Sequence, residues 1–194
     1  MEEFEIKFLE VDVPELEKKL LAIGAKKVGE YFFRRRHFDY PDLHLDKKGE
    51  WIRVRDEGEK ITMAHKKISN FDQNKKDRRD VIIEEQEIVV SDFDAACKIL
   101  FAAGLMEKNY IESKRIRYVK DGIEYDIDIF PKLPPYLEIE GKSIESVREA
   151  ASELGFDLEK AVRYTAAQMY KDRGMNLHDY QIVTFEKFVK KTDA

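Results

Sequence analysis

The chain has 194 residues, 39% of them charged and 43% apolar, with a formal net charge of −5. The length supports one sizeable core, no Gly/Ser-rich or Pro-rich linker divides it, and the acidic balance gives no general pull toward DNA or an anionic membrane. No apolar run reaches transmembrane length, and the chain opens in a charged strand where a signal peptide needs an apolar stretch, so the expected compartment is cytoplasmic.

The first predicted element is Glu3-Phe4-Glu5-Ile6-Lys7-Phe8, a strand whose charged residues Glu3, Glu5 and Lys7 share one face while Phe4, Ile6 and Phe8 share the other. Carboxylates two residues apart on a strand lie about 7 Å from each other. At an effective dielectric of 20 they repel by about 2 kcal/mol, so a cation is needed between or beside them. A helix follows, begun by Pro14, lined by Leu16, Leu20 and Ile23, and stopped by Gly24. The basic stretch Arg34-Arg35-Arg36-His37 comes next.

Alternation returns in Trp51-Ile52-Arg53-Val54-Arg55, in Ile61-Thr62-Met63-Ala64-His65-Lys66, and at Glu85 and Glu87. Ser91 with Asp94 is a capping-box variant for a second helix, which runs through Phe93, Ala96 and Leu100 to Gly104. Cys97 falls within this helix as a core residue, without a partner for a disulfide or a thiolate metal site. Further strands carry Arg115 and Arg117, then Asp126 and Asp128, then Glu138 and Glu140. A third helix runs from Ser143 through Val147, Ala151 and Leu154 to Gly155, the helical pattern resumes over 160–173, and 181–191 reads as a short amphipathic helix. The four histidines show no metal-ligand spacing, which argues against a zinc hydrolase.

An open antiparallel sheet with one wet face is the commonest source of such alternation. Here, however, Ser, Asn and Gln are scarce on the polar face, and the charges come as same-sign pairs on each strand. The alternative is a closed α+β barrel with its charges inward around a metal and a polyanion and its apolar face outward beneath helices. A shift of 80 residues lays Glu5 on Glu85, Gly24 on Gly104 and Arg35 on Arg115, so the chain reads as two similar halves.

In this order, the Glu3/Glu5/Lys7 strand, the Arg53/Arg55 strand, Lys66, the Glu85/Glu87 strand, Arg115, Asp128 and the Glu138/Glu140 strand resemble the CYTH superfamily, the triphosphate tunnel metalloenzymes. The resemblance runs from about Glu3 to Tyr170 and implies an eight-stranded antiparallel tunnel. It implies a CYTH domain over residues 1–175 and leaves a C-terminal helical extension at 176–194. By that resemblance Glu3, Glu5, Asp128, Glu138 and Glu140 bind Mg²⁺ or Mn²⁺, and Lys7, Arg53, Arg55, Lys66 and Arg115 clamp a triphosphate. Glu85, Glu87 and Asp126 are second candidates for metal or water activation, and Arg117, Lys114 and Arg35 for triphosphate.

One position departs from the pattern. Many relatives carry Lys-x-Arg where this chain has Ser113-Lys114-Arg115, and strict alternation turns Lys114 outward. The implied substrate is a triphosphate-bearing small molecule: ATP, inorganic triphosphate or thiamine triphosphate. Hydrolysis is the first expectation, with class IV adenylyl cyclase chemistry and non-catalytic polyphosphate binding as alternatives. No adenine-reading signature stands out, and a homodimer is left open.

Overall fold

A computed structural model describes residues 4–72, 82–163 and 165–191. The chain order is β1 (Phe4–Phe8), α1 (Val13–Ala22), β2 (Lys26–Asp39), β3 (Glu50–Asp56), β4 (Ile61–Ile68), β5 (Ile83–Val90), α2 (Phe93–Ala102), β6 (Met106–Lys120), β7 (Ile123–Ile129), β8 (Tyr136–Gly141), α3 (Ile144–Glu153), α4 (Ala166–Asp172), β9 (Tyr180–Val183) and β10 (Phe188–Lys190). The result is an α+β fold in which eight antiparallel strands form a curled sheet in the order β1-β8-β7-β6-β2-β3-β4-β5. Full closure is not made by hydrogen bonds: among the described residues β1 and β5 are not paired with each other. Instead, Val162 meets the free edge of β1, exchanging backbone hydrogen bonds of 2.8 and 3.0 Å with Lys7.

Each helix begins where a side chain satisfies its free amides. Asp12 accepts from the Glu15 amide at 2.9 Å and Asp92 accepts from Ala95 at 2.6 Å, so Asp92, not Ser91, caps α2. Ser143 and Ser146 form a reciprocal capping box on α3. α1 and α2 lie 80 residues apart at both ends, and both are followed by a left-handed glycine, Gly24 at φ 86° and Gly104 at φ 89°.

The outward apolar face of the sheet packs beneath these helices. Leu16 and Leu20 of α1 and Val147 and Ala151 of α3 join Ile6, Ile127, Leu137 and Ile139 in one core, and Phe93, Ala96, Cys97 and Leu100 of α2 cover Phe38 and Val54 in another. Burial of this face is the main stabilising term. It also forces every charged residue of opposite parity to the concave side.

Two expected helices are corrected. The segment 160–173 is helical only in α4, because the chain first extends to bond β1 through Val162. The segment 181–191 is not a helix: β9 joins β6 in parallel, with Tyr110 opposite Ile182 and Ile111 opposite Val183, and β10 folds back on β9. Thr184 closes that hairpin by accepting from Lys187, and Val183 is fully buried beside Ile111. No helix of the described residues is long and apolar enough to cross a membrane.

Candidate active site

The concave face encloses a cavity of about 770 Å³. Glu5 and Lys7 from β1, Arg53 and Arg55 from β3, Lys66 from β4, Glu85 and Glu87 from β5, Arg115 and Arg117 from β6, Asp128 from β7, and Glu138 and Glu140 from β8 all line it, together with Arg35 from β2. Of the expected site residues, Glu3 lies outside the described residues. Asp126 is fully buried behind Arg115 and Arg117 and does not line the cavity, and Lys114 points away from it to lie over the Phe185 ring at 5.0 Å.

The charges separate into two walls. On β1, β8 and β7, Glu5 stands beside Glu140, which stands beside Glu124, in one continuous cross-strand row. Burial and the neighbouring Glu138, Glu124, Glu5 and Asp126 push the Glu140 carboxyl up to about 7. Lys7 bonds Glu5 and lies 3.0 Å from Glu138. Burial works against the Lys7 charge, but Glu138 and Glu5 outweigh it and raise its pKa. Glu138 is held low in turn, burial being outweighed by Lys7 and Arg115.

Arg115 belongs electrically to this acidic wall. It binds Asp128 through Nε at 2.7 Å and Nη2 at 2.6 Å, Asp126 at 2.5 Å and Glu138 at 3.1 Å. Arg117 grips Asp126 at 2.7 and 2.6 Å and Glu124 at 2.8 Å.

The opposite wall is basic. Arg53 reaches Glu85 and Glu87 at 3.0 Å each, Lys66 reaches Glu85 at 2.7 Å, and Arg55 pairs with Glu57 at 2.5 Å. Burial and Arg55 push the Arg53 pKa down to about 10. Glu85 and Glu87 therefore neutralise the basic wall and stand apart from the acidic row. Apolar side chains line the cavity as well, among them Trp51, Ile68, Ile83 and Leu177, and so do His37 and Asn109, whose side chains meet at 2.8 Å. Burial pushes the His37 imidazole down to about 3, so it is neutral.

Fit to a divalent cation can be judged from the donors. Glu5, Glu138, Glu140 and Glu124 are hard oxygen donors of the kind Mg²⁺ and Mn²⁺ take, and burial with the neighbouring carboxylates makes the Glu140 charge costly without a cation. Among the described residues no three such groups already converge at ligand spacing, because Lys7 stands between Glu5 and Glu138. The donor set fits a metal once Lys7 turns toward an anion.

Two features escaped the sequence reading. Glu124 shares the parity of Asp126 and Asp128 on β7, a signal that was legible but not used. The other is that Trp51, Ile68, Ile83 and Leu177 line the same cavity, which depends on contacts between elements far apart in sequence.

Comparison with solved structures gives the same architecture. The PH1012 protein from Pyrococcus horikoshii OT3 superimposes with a TM-score of 0.67 at 22% identity, covering 82% of this chain and 93% of that one. A candidate adenylate cyclase from Vibrio parahaemolyticus gives a TM-score of 0.72 at 11% identity, covering 88% of this chain and 98% of that one. A candidate adenylyl cyclase from Hippeastrum, described as having a dominant triphosphatase activity, gives 0.62 at 16% identity, with coverage of 90% and 97%. Among curated proteins, none matches the chain. The CYTH domain family model matches residues 1–166, and with that extent of match the chain belongs to the CYTH family.

Proposed function

We propose that the tunnel hydrolyses a triphosphate with the help of Mg²⁺ or Mn²⁺. The observation that carries this reading is the facing of two walls across one cavity: Arg53, Arg55 and Lys66 on one side, and Glu5, Glu138 and Glu140 on the other. A triphosphate brings about four negative charges, and its reaction proceeds by stabilising charge on the transferring and leaving oxygens with cations already in place.

Arg53, Arg55 and Lys66 hold the phosphate oxygens, exchanging part of their contacts with Glu85, Glu87 and Glu57 for the ligand. Lys7 leaves Glu5 for a phosphate oxygen, which frees Glu5 and Glu138, and Arg115 keeps Asp128 and Glu138 fixed in orientation. Glu5, Glu138 and Glu140 would hold the metal, which would supply charge neutralisation and activate water. The Hippeastrum relative's triphosphatase activity agrees with this direction of chemistry.

A second reading is supported by the apolar side chains in the lining, Trp51, Ile68, Ile83 and Leu177, which suit the organic group of ATP or thiamine triphosphate. With ATP bound so that its 3′-hydroxyl meets the α-phosphorus, the same cations serve cyclisation with release of pyrophosphate.

Phosphorus NMR of inorganic triphosphate, ATP and thiamine triphosphate incubated with each metal tests both readings. Accumulating orthophosphate is the expected outcome. Formation of pyrophosphate and 3′,5′-cyclic AMP from ATP, with inorganic triphosphate intact, replaces hydrolysis by cyclisation.

A further inference from the structure

The centre of the tunnel floor is the β2–β6 pair, where Phe33 lies directly opposite Ser113. Two residues beyond each on its own strand are Arg35 and Arg115, so the two arginines occupy corresponding places in the two halves of the sheet. Both lie within 6 Å of the Phe33 ring, Arg115 at 5.7 Å and Arg35 at 5.8 Å, and Arg55 joins them at 5.2 Å. Their surroundings differ completely.

Arg115 spends its donors on Asp126, Asp128 and Glu138. Arg35 donates to the Ser113 hydroxyl and stacks on Phe130 at 4.9 Å, while its Nε is buried without a hydrogen-bond partner. It is the one tunnel-lining arginine that has no carboxylate partner among the described residues. Burial, then Arg55 and Arg53, push its pKa down to about 9. A guanidinium stays charged under ordinary conditions, so Arg35 is a buried cation faced by Arg55 and Arg53 and offset chiefly by Asp128, to which it is not bonded.

We propose that Arg35 is the central cation for the bound triphosphate, and that Arg115, at the corresponding place, positions the acidic wall. This rests on the reading of the tunnel as a triphosphate site. Arg35 has what an anion needs: an unsatisfied donor, a charge with no carboxylate bonded to it among the described residues, and aromatic faces at Phe33 and Phe130 that fix the guanidinium plane. Arg115 commits four of its five N–H groups to three buried carboxylates, so turning to an anion would be a costly exchange.

The test is calorimetric titration of metal-free protein with inorganic triphosphate, paired with thermal melts. Arg35→Gln is expected to weaken binding by about tenfold or more, the loss for one hydrogen bond to a charged group, and to raise the melting temperature of the unliganded protein. Arg35→Lys should keep most of the affinity, and adding Ser113→Lys to Arg35→Gln should restore part of it, because residue 113 already touches the Arg35 guanidinium. Arg115→Gln should do the reverse, lowering stability with a smaller change in affinity. Affinity of Arg35→Gln indistinguishable from wild type, while Arg53→Ala weakens binding, overturns the assignment of Arg35 alone. Absence of triphosphate binding by the wild type overturns the tunnel reading itself.

Discussion

The halves β1–β4 and β5–β8 share a layout and differ in charge. Each runs strand, capped helix, left-handed glycine, long strand and hairpin, and the sheet order places β6-β7-β8-β1 as the counterpart of β2-β3-β4-β5. Yet β3 and β4 present Arg53, Arg55 and Lys66 to the cavity, whereas β7 and β8 present Asp128, Glu138 and Glu140. The apolar parity decides the backbone, so the concave residues are free to diverge without changing it. One scaffold used twice thus creates a dipolar tunnel, which neither half contains alone.

The largest expected effect comes from the acidic half. Glu5→Gln should reduce metal-dependent triphosphate turnover by about 100-fold or more, the scale for losing preorganised charge at the reacting centre, in a protein that still folds. Steady-state rates at saturating Mg²⁺ and Mn²⁺ check it, and a rate near wild type would remove Glu5 from the site. In the basic half, Arg53→Ala or Arg55→Ala should weaken triphosphate binding by about 10-fold or more. Both should also lower unliganded thermal stability, since the first takes a cation from Glu85 and Glu87 and the second takes one from Glu57. Calorimetry with a slowly hydrolysed triphosphate reads the affinity, and unchanged binding in both variants would return the sheet to an ordinary solvated surface.

A pH series sharpens the contrast. The Glu140 carboxyl is pushed up to about 7, so the folded state holds a proton that the unfolded chain releases near the ordinary carboxylate pKa. This contribution is fully present below that ordinary value and is lost as pH rises toward 7. Metal-free protein should therefore lose stability across that window, Glu140→Gln should flatten the slope, and Mg²⁺ should reverse it by stabilising the charged carboxylate. The smallest effect belongs to Lys114→Ala, which removes an exposed contact with Phe185 and should cost about 0.5–1 kcal/mol while leaving turnover unchanged.

The fold was legible wherever one physical rule dominated. Period-2 alternation placed Lys7, Arg53, Arg55, Lys66, Arg115, Asp128, Glu138 and Glu140 on one face, because an apolar partner at every second residue leaves them no other side. Caps and breakers likewise located both helices, Pro14 and Gly24 bounding the first and Gly104 ending the second. Legibility failed where tertiary contacts outweigh local pattern. Val183 and Ile182 fit a helical face as well as a strand, and only the available edge at Tyr110–Ile111 chooses the strand. Closure was equally hidden, since nothing in β1 or β5 alone says whether their edges meet. The division of roles between Arg35 and Arg115 depends on which carboxylates arrive from β7 and β8, a fact of three-dimensional adjacency.

The absence of a β1–β5 ladder among the described residues has a mechanical consequence. A barrel locked by a continuous ladder has a fixed girth, because widening it breaks backbone bonds in series. Here the lips carry Glu5 and Lys7 on one side and Glu85 and Glu87 on the other, with no backbone pairing between them among the described residues. Among the described residues the β1 edge is held there by only two backbone bonds, those to Val162, so this seam yields far more readily than a ladder. Its width is a compliant dimension of the molecule, and a polyanion drawn to Lys7 and Lys66 together would act as the stitch that draws the two lips closed.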